Sequence, residues 1–328
     1  KLDLIFKAYD IRGIFGETLT PEIAYKIGYA YADFVDSKKI IIGHDGRLSN
    51  KEMLNAVASG IKKNNKSILY VGTVPTDVVY SLSGLKQLPG VIITASHNPK
   101  EWTGLKFCNT GATPIGIETG LIEIKQNVEN LNIDIDIHND FEKEDIVEFY
   151  IEHLNSIVKP KDIKNSISFM IDAGNGALGS VIKELENSYS LNFDHIYMDI
   201  DGNFPNHPAD PSNPENLKEL KELVISKNKS FGVAFDGDAD RAVFLDNEGN
   251  LISGSLMTAL VSDWLNEKKK KLKIVYNVNV SPSVVSYLEK KGITTIRSKV
   301  GHSYIKQVMR EEDADFGGEH SAHFYLKE

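Results

Sequence analysis

The chain has 328 residues, 41% of them hydrophobic, which is enough apolar material for two or three cores and too long for one. Its 37 basic and 46 acidic side chains leave a net charge of −9, which argues against a general nucleic-acid-binding surface while allowing a small basic pocket for a phosphorylated ligand. One cysteine, Cys108, excludes an internal disulfide framework and a clustered-cysteine metal site. No apolar run approaches the roughly 20 residues that cross a bilayer, so a cytoplasmic protein with no membrane partner is expected.

The opening KLDLIFKAYD has neither a signal-peptide apolar region nor a methionine, and a processed or engineered start is expected. Residues 39–71 then show a unit that recurs along the chain: strand KIIIG, loop HDGRLS, a helix with Met53, Leu54, Val57 and Ile61 on one face, and strand ILYVG. Ser49 and Glu52 predict a capping box at the start of that helix. Strand VIIT leads into TASHNPKEWTGLKF (94–107), and the acidic, Asn-rich stretch NLNIDIDIHNDFEKED (130–145) marks a first domain boundary. Further strand–loop units begin at ISFMIDAGNGALG (167–179), FGVAFDGDADR (231–241) and KIVYNVNVSPSV (273–284). Between the last two, DNEGN (246–250) reads as a hairpin turn near a second boundary, and EKKKKLK (267–273) as a solvated helix end. Strands alternating with helices predict an α/β protein of successive three-layer α/β domains with mixed, largely parallel sheets. The expected limits are residues 1–147, 148–249 and 250–328.

Two loops carry chemistry. In DGDADR, Asp236, Asp238 and Asp240 bring three like charges together, which costs stability unless a cation neutralises them. An EF-hand is excluded, because loop positions six and twelve hold Arg241 and Asn247 in place of glycine and glutamate. An acidic turn capping backbone amides is the plain alternative. Directly after the strand FGVAF, three hard oxygen ligands suit Mg²⁺, with Arg241 beside its phosphate ligand as a fixed donor. Ser96 follows VIIT in the same way. A lone loop serine is ordinarily a turn or cap residue, and the absence of a G-x-S-x-G elbow disfavours acyl transfer. A serine that carries a phosphate clamped by the metal unites the two loops. His97 and Lys106 then supply proton transfer and charge.

TASHNPKEWTGLKF, DGDADR and FGGEHSAHFYL, in that order and spacing, resemble the phosphoserine, metal and sugar loops of the α-D-phosphohexomutases. YDIRG (9–13), GHDGR (43–47) and KVGHSYIK (299–306) resemble further family segments, so the likeness runs the length of the chain. GGEHSAH is closer to bacterial phosphomannomutases and phosphomannomutase/phosphoglucomutases than to the GGEQSGH-like form of phosphoglucosamine mutases. The resemblance implies that Ser96 is phosphorylated at rest and that Asp236, Asp238 and Asp240 bind Mg²⁺ with one phosphoserine oxygen. Arg12, His97, Lys106 and Arg241 line the transferring phosphate. Glu319 and Ser321 hold sugar hydroxyls, with His302 and His323 nearby.

The reaction so implied interconverts hexose 1-phosphate and hexose 6-phosphate, of mannose, glucose or both, through a hexose 1,6-bisphosphate that turns round in the site. Three positions depart from the family pattern: Thr103 replaces a usual asparagine, Ala322 a frequent glycine, and Asn279 stands where some members have a lysine. The family has a fourth domain while this sequence ends at Glu328, so a truncated third domain, an absent fourth and complementation by a C-terminal fragment are expected. The alternatives are a phosphoglucosamine mutase, a metal-dependent sugar phosphatase and a non-catalytic sugar-phosphate binder.

Overall fold

The computed structural model describes residues 2–138, 140–162 and 167–327; Asn139, inside the expected first boundary, and Glu328 lie outside the described residues. Three sheets follow one another along the chain. The first contains β1 (Ile11–Ile14), β2 (Lys39–His44), β3 (Ser67–Thr73), β4 (Gly90–Ile93), β5 (Trp102–Asn109) and β6 (Thr113–Pro114). Their spatial order is β1-β5-β4-β2-β3, with β6 beside β5. The second holds β7 (Ser168–Asp172), β8 (Asn192–Ile196), β9 (Phe231–Phe235), β10 (Ala242–Asp246) and β11 (Leu251–Ile252), in the order β11-β10-β9-β7-β8. The third holds β12 (Lys273–Asn277), β13 (Thr294–Ser298), β14 (Phe316–Gly318) and β15 (Phe324–Leu326), in the order β13-β12-β14-β15. Each sheet is mixed, parallel on one side and antiparallel on the other.

Strands β2 and β4 are apolar almost throughout because both faces are covered, as parallel strands between helical layers require. Helices Pro21–Phe34 and Asn50–Lys63 close one face, burying Met53, Leu54, Val57 and Ile61 as the spacing predicts. The capping box at Ser49 does not form. Residues 47–50 are already wound, with Asn50 N donating to Arg47 O at 3.1 Å, so Ser49 takes helical angles (φ −69°, ψ −14°). An N-cap needs extended angles to aim its hydroxyl at the first free amides, and the Ser49 Oγ is instead buried with no hydrogen-bond partner among the described residues. The hairpin at 246–250 forms as expected, with Asp246 N donating to Asn250 O at 2.9 Å. Lysines 268–271 are exposed where the helix Gly254–Lys268 ends.

The other face of the first sheet does not end in solvent. Ile41, Val71, Val78, Val79 and Ile92 share one continuous core with Tyr150, Ile171, Val181, Ile182 and Val233 of the second unit. The acidic stretch before it is likewise no free linker, since Ile133 and Phe141 pack on the first core and Lys143 bridges to Tyr70. No helix among the described residues is long and apolar enough to cross a membrane.

Candidate active site

Parallel strands deliver their following loops to one edge, and the site is made where those edges meet. Strands β2 and β4 are parallel neighbours, so the GHDGR loop and the loop after VII leave the first sheet side by side. Ser96 sits in the latter with a left-handed backbone (φ +51°), a conformation that a non-glycine residue holds only under outside restraint. The restraint is visible. Thr94 Oγ1 accepts the Ser96 amide at 2.8 Å and donates to Asp45 Oδ2 at 2.7 Å. The buried guanidinium of Arg47 pairs with Asp45 at 3.1 Å and donates to the carbonyls of Ser96, Asn98, Pro99 and Trp102 at 2.6–3.0 Å. Five acceptors around one planar fork fix the whole turn.

The loop between β9 and β10 closes on it. Ser96 Oγ donates to Asp236 Oδ2 at 2.7 Å, and the loops touch so closely that a Cβ on Gly237 would stand 2.7 Å from the Ser96 carbonyl oxygen. A loop at a strand end ordinarily exposes its side chains. Ser96 is in fact only 1% exposed, because the aspartate loop of the neighbouring unit covers it. One oxygen from each of Asp236, Asp238 and Asp240 falls within 4.8 Å of the others.

Asp236 and Asp238 are fully buried; Asp238 Oδ1 has no hydrogen-bond partner among the described residues, and Asp240 Oδ1 faces the His323 ring nitrogen at 3.3 Å. Buried carboxylate oxygens, one of them unsatisfied, converging beside a serine hydroxyl fit a small divalent cation of hard-oxygen preference such as Mg²⁺. Lys106, reaching in from β5, neutralises part of this charge at 2.6 Å from Asp238 and 2.5 Å from Asp240, and Thr76 Oγ1 donates to Asp238 at 2.6 Å.

Electrostatics follow from this crowding. Burial, reinforced by Asp240 and Asp238, holds the Asp236 carboxyl well above the usual range. Burial acts the same way on Asp240, but Lys106, His323 and Arg241 outweigh it and hold that group well below. Lys106 is likewise buried, yet Asp238 and Asp240 keep it more firmly protonated than a free lysine. His97, with Nδ1 at 3.2 Å from Ser96 Oγ, is pulled down to about 4 by burial and by the nearby Arg241 and Arg12, so it is neutral near pH 7. Arg12 pairs with Asp10 at 2.7 Å and donates to the Asn98 side chain, leaving its cation beside the serine loop.

The third unit supplies the opposite wall. Ala242 N, at the start of β10, donates to Ala322 O at 3.1 Å, which docks the turn between β14 and β15 against the aspartate loop. Across this contact Arg241 Nε lies 3.3 Å from His323 Nε2, which is 3.3 Å from Asp240; His323 Nδ1 is 3.0 Å from the exposed Ser321 Oγ. Glu319 is 1% exposed and accepts from Tyr325 OH at 2.6 Å and Asn277 Nδ2 at 2.7 Å. His302 stands apart. It begins the helix His302–Glu311 with its ring on the edge of Tyr9 at 5.7 Å, and its buried Nε2 has no hydrogen-bond partner among the described residues. Burial, with Lys306 and Lys106 nearby, holds its pKa well below the usual value.

The structure thus joins Arg12, Ser96, His97, Lys106, the three aspartates, Arg241 and His323 in one network, with Glu319 and Ser321 at its margin. Sequence reasoning missed Asp45, Arg47, Thr76 and Tyr325, and with them the segment 197–213. Cation–π contact of Arg47 with Phe204 at 5.4 Å, and a Gly202 whose Cβ would lie 2.6 Å from the Gly46 carbonyl oxygen, show that this segment packs on the GHDGR loop. The quoted GHDGR contained Arg47, but no spacing reveals that its partners lie about fifty positions later.

Residues 3–132, 148–249 and 253–328 match, in turn, domains I, II and III of the phosphoglucomutase/phosphomannomutase family, each an alpha/beta/alpha domain. The chain is 36% identical to the phosphomannomutase of Vibrio cholerae, with 98% of this chain and 72% of that protein aligned. It is 38% identical to the phosphomannomutase of Methanocaldococcus jannaschii, over 99% and 72%. A crystal structure of a phosphoglucomutase/phosphomannomutase family protein from Burkholderia thailandensis superposes with a TM-score of 0.89 at 30% identity, over 98% of this chain and 72% of that one. On this evidence the chain belongs to the phosphoglucomutase/phosphomannomutase family and is a phosphohexomutase.

Proposed function

We propose that the chain interconverts the 1- and 6-phosphates of mannose, glucose or both, with Ser96 carrying the phosphate and a hexose 1,6-bisphosphate as intermediate. The observation that carries this reading is Ser96 Oγ, held in a strained turn 2.7 Å from Asp236 among three convergent carboxylates. Asp236, Asp238 and Asp240 are the residues that would hold Mg²⁺ beside phosphorylated Ser96. Bound there, Mg²⁺ supplies neutralisation of phosphate charge. Ser96 orients the phosphorus, and Arg12, Lys106 and Arg241 face the phosphate oxygens that gain charge during transfer.

In the first half-reaction the bond from Ser96 Oγ to phosphorus breaks, and one forms from phosphorus to the free sugar hydroxyl. The proton of that hydroxyl ends on Ser96 Oγ, beside the neutral His97 ring. The bisphosphate turns over and the reverse transfer returns the other phosphate to Ser96. Ser321 and His323 meet sugar hydroxyls, with Glu319 joining them once the sugar displaces part of its present bonding, and His302 closes the far side. A sugar read through its 3- and 4-hydroxyls is barely tested at C2, which supports acceptance of both epimers. Three sheets support three successive domains with a first limit near 147/148, while β11 (Leu251–Ile252) pairs with β10 and so extends the second sheet past 249/250. A lone buried Cys108 with no disulfide fits the cytoplasm.

The test is tryptic phosphate mapping of active protein together with Ser96→Ala. The expected result is a single labile phosphate on Ser96 and a loss of bisphosphate-primed turnover of at least about 10³-fold in the variant. A phosphate mapped elsewhere, or full turnover by Ser96→Ala, overturns the assignment.

A further inference from the structure

Behind the aspartates lies a cavity of about 910 Å³, bounded by the helices Thr76–Lys86, Val147–Ile157, Gly254–Lys268 and His302–Glu311. It is within the range of small-molecule sites. It adjoins the transfer site: Lys106, Asp240, Arg241 and His302 lie on its wall, with Lys106 and Asp240 ion-paired at 2.5 Å, whereas Ser96, His97, Arg12, Glu319, Ser321 and His323 do not line it.

Its charges are unbalanced. Lys106 is paired with Asp238 and Asp240, Lys327 is paired with Asp313, and Asp77 is bonded to the Tyr150 hydroxyl. Lys306 has no such partner: among the described residues its Nζ makes no hydrogen bond or ion pair, and it lies 3.5 Å from the centroid of the Tyr80 ring, whose own buried hydroxyl is also unpartnered. Its ammonium is pulled down to about 8, chiefly by burial, as an uncompensated cation should be. Arg310, one turn further along the helix, adds a second cation on the same face. Opposite them the lining is apolar, with Leu154, Ile157, Met257, Val261 and Trp264.

We propose that this cavity is a second ligand site that takes a small amphiphilic anion, its phosphate or carboxylate head on Lys306 and Arg310 and its apolar body against Ile157, Val261 and Trp264. An anion there gives Lys306 the counter-charge that the protein itself withholds, and the apolar wall rewards a hydrocarbon tail where a hexose would leave its hydroxyls unpaired. The ligand touches all three domains and the back of the Lys106–Asp240 pair, so its occupancy bears on how the domains hold the transfer site.

The experiment is calorimetric titration of the intact chain with butyl and hexyl phosphate, with Trp264 fluorescence as a parallel readout. One binding site is expected, tightening about fourfold for each added methylene. Lys306→Met should weaken hexyl phosphate at least tenfold (about 1.4 kcal/mol) without abolishing turnover. Val261→Trp, which fills the cavity from the opposite wall, should remove binding by a route independent of the lysine. Saturating glucose 1-phosphate should leave the stoichiometry at one. Complete displacement by glucose 1-phosphate, unchanged affinity in both variants, or no saturable binding at millimolar concentration overturns the proposal.

Discussion

The serine loop depends on a residue that never meets the substrate. Arg47 satisfies Asp45 and four main-chain carbonyls from inside the protein, so its removal strands a buried carboxylate and those acceptors together. Arg47→Met should therefore cost about 3–5 kcal/mol of stability and lower turnover by freeing Ser96 from its strained turn. Arg47→Lys should rescue little, because one ammonium cannot reproduce the planar fork. Thermal melts and amide exchange of residues 94–102 check both. Ala322 raises the opposite question. It holds φ +67° at the centre of the sugar loop, a conformation that strains a side chain and suits glycine. Ala322→Gly relieves that strain but adds chain entropy to the unfolded state, so a net stabilisation of up to about 1 kcal/mol is expected, read as a small rise in Tm. The sequence shows a glycine-type position occupied by alanine, but only the backbone angle gives the substitution a sign.

At the scale of elements, each sheet contributes the loop that leaves the C-terminal end of a parallel strand, and this much is legible from strand–loop–helix alternation. The segment 197–213 was not, because it has no periodic pattern and is ordered by what it touches. His207 pins it, with Nε2 at 3.0 Å from Asp172 Oδ2 at the end of β7. Burial lowers the His207 pKa, but the Asp172 hydrogen bond and charge exceed that effect and the net shift is upward. A histidine whose folded pKa is raised stabilises fully below its unfolded pKa, about 6.5, and the contribution is lost as pH rises through the folded value. Stability measured by denaturant titration should thus decline from about pH 6.5 upward, and His207→Gln should flatten that decline. An unchanged pH profile in the variant would detach the loop from this ion pair. The failed capping box at Ser49 belongs to the same class of error: S-x-x-E is a local signal, and a turn wound by Arg47 and Asn50 overrode it.

Over the whole molecule, the serine and the aspartates keep their distance because two domains share one core. Ile171, 4% exposed, packs in the cluster that includes Ile41, Val71 and Ile92 across the boundary. Ile171→Ala should cost about 2–5 kcal/mol. Hydrogen exchange should show the loss of protection in β2 as well as β7, since a shared core unfolds as one cooperative unit. Loss confined to residues 148–249 would mean that the two domains are energetically separate and that their alignment rests on the loops alone.

The linear order of residues by itself determined the three α/β units and the family, and it supplied the reacting groups proposed above, because hydrophobic period, strand-end position and residue chemistry are all local properties. It also marked the acidic triplet as a cluster that could hold a metal ion. The three-dimensional packing alone decided the burial of Ser96 beneath the aspartate loop, the support of its turn by Arg47, the burial of His302 against Tyr9, and the cavity around Lys306. Each of these depends on which surfaces of distant segments meet. Desolvation, close packing and the pairing of buried charge act between residues as distant in the chain as Tyr80 and Lys306 or Tyr9 and His302, where no spacing along the chain records them.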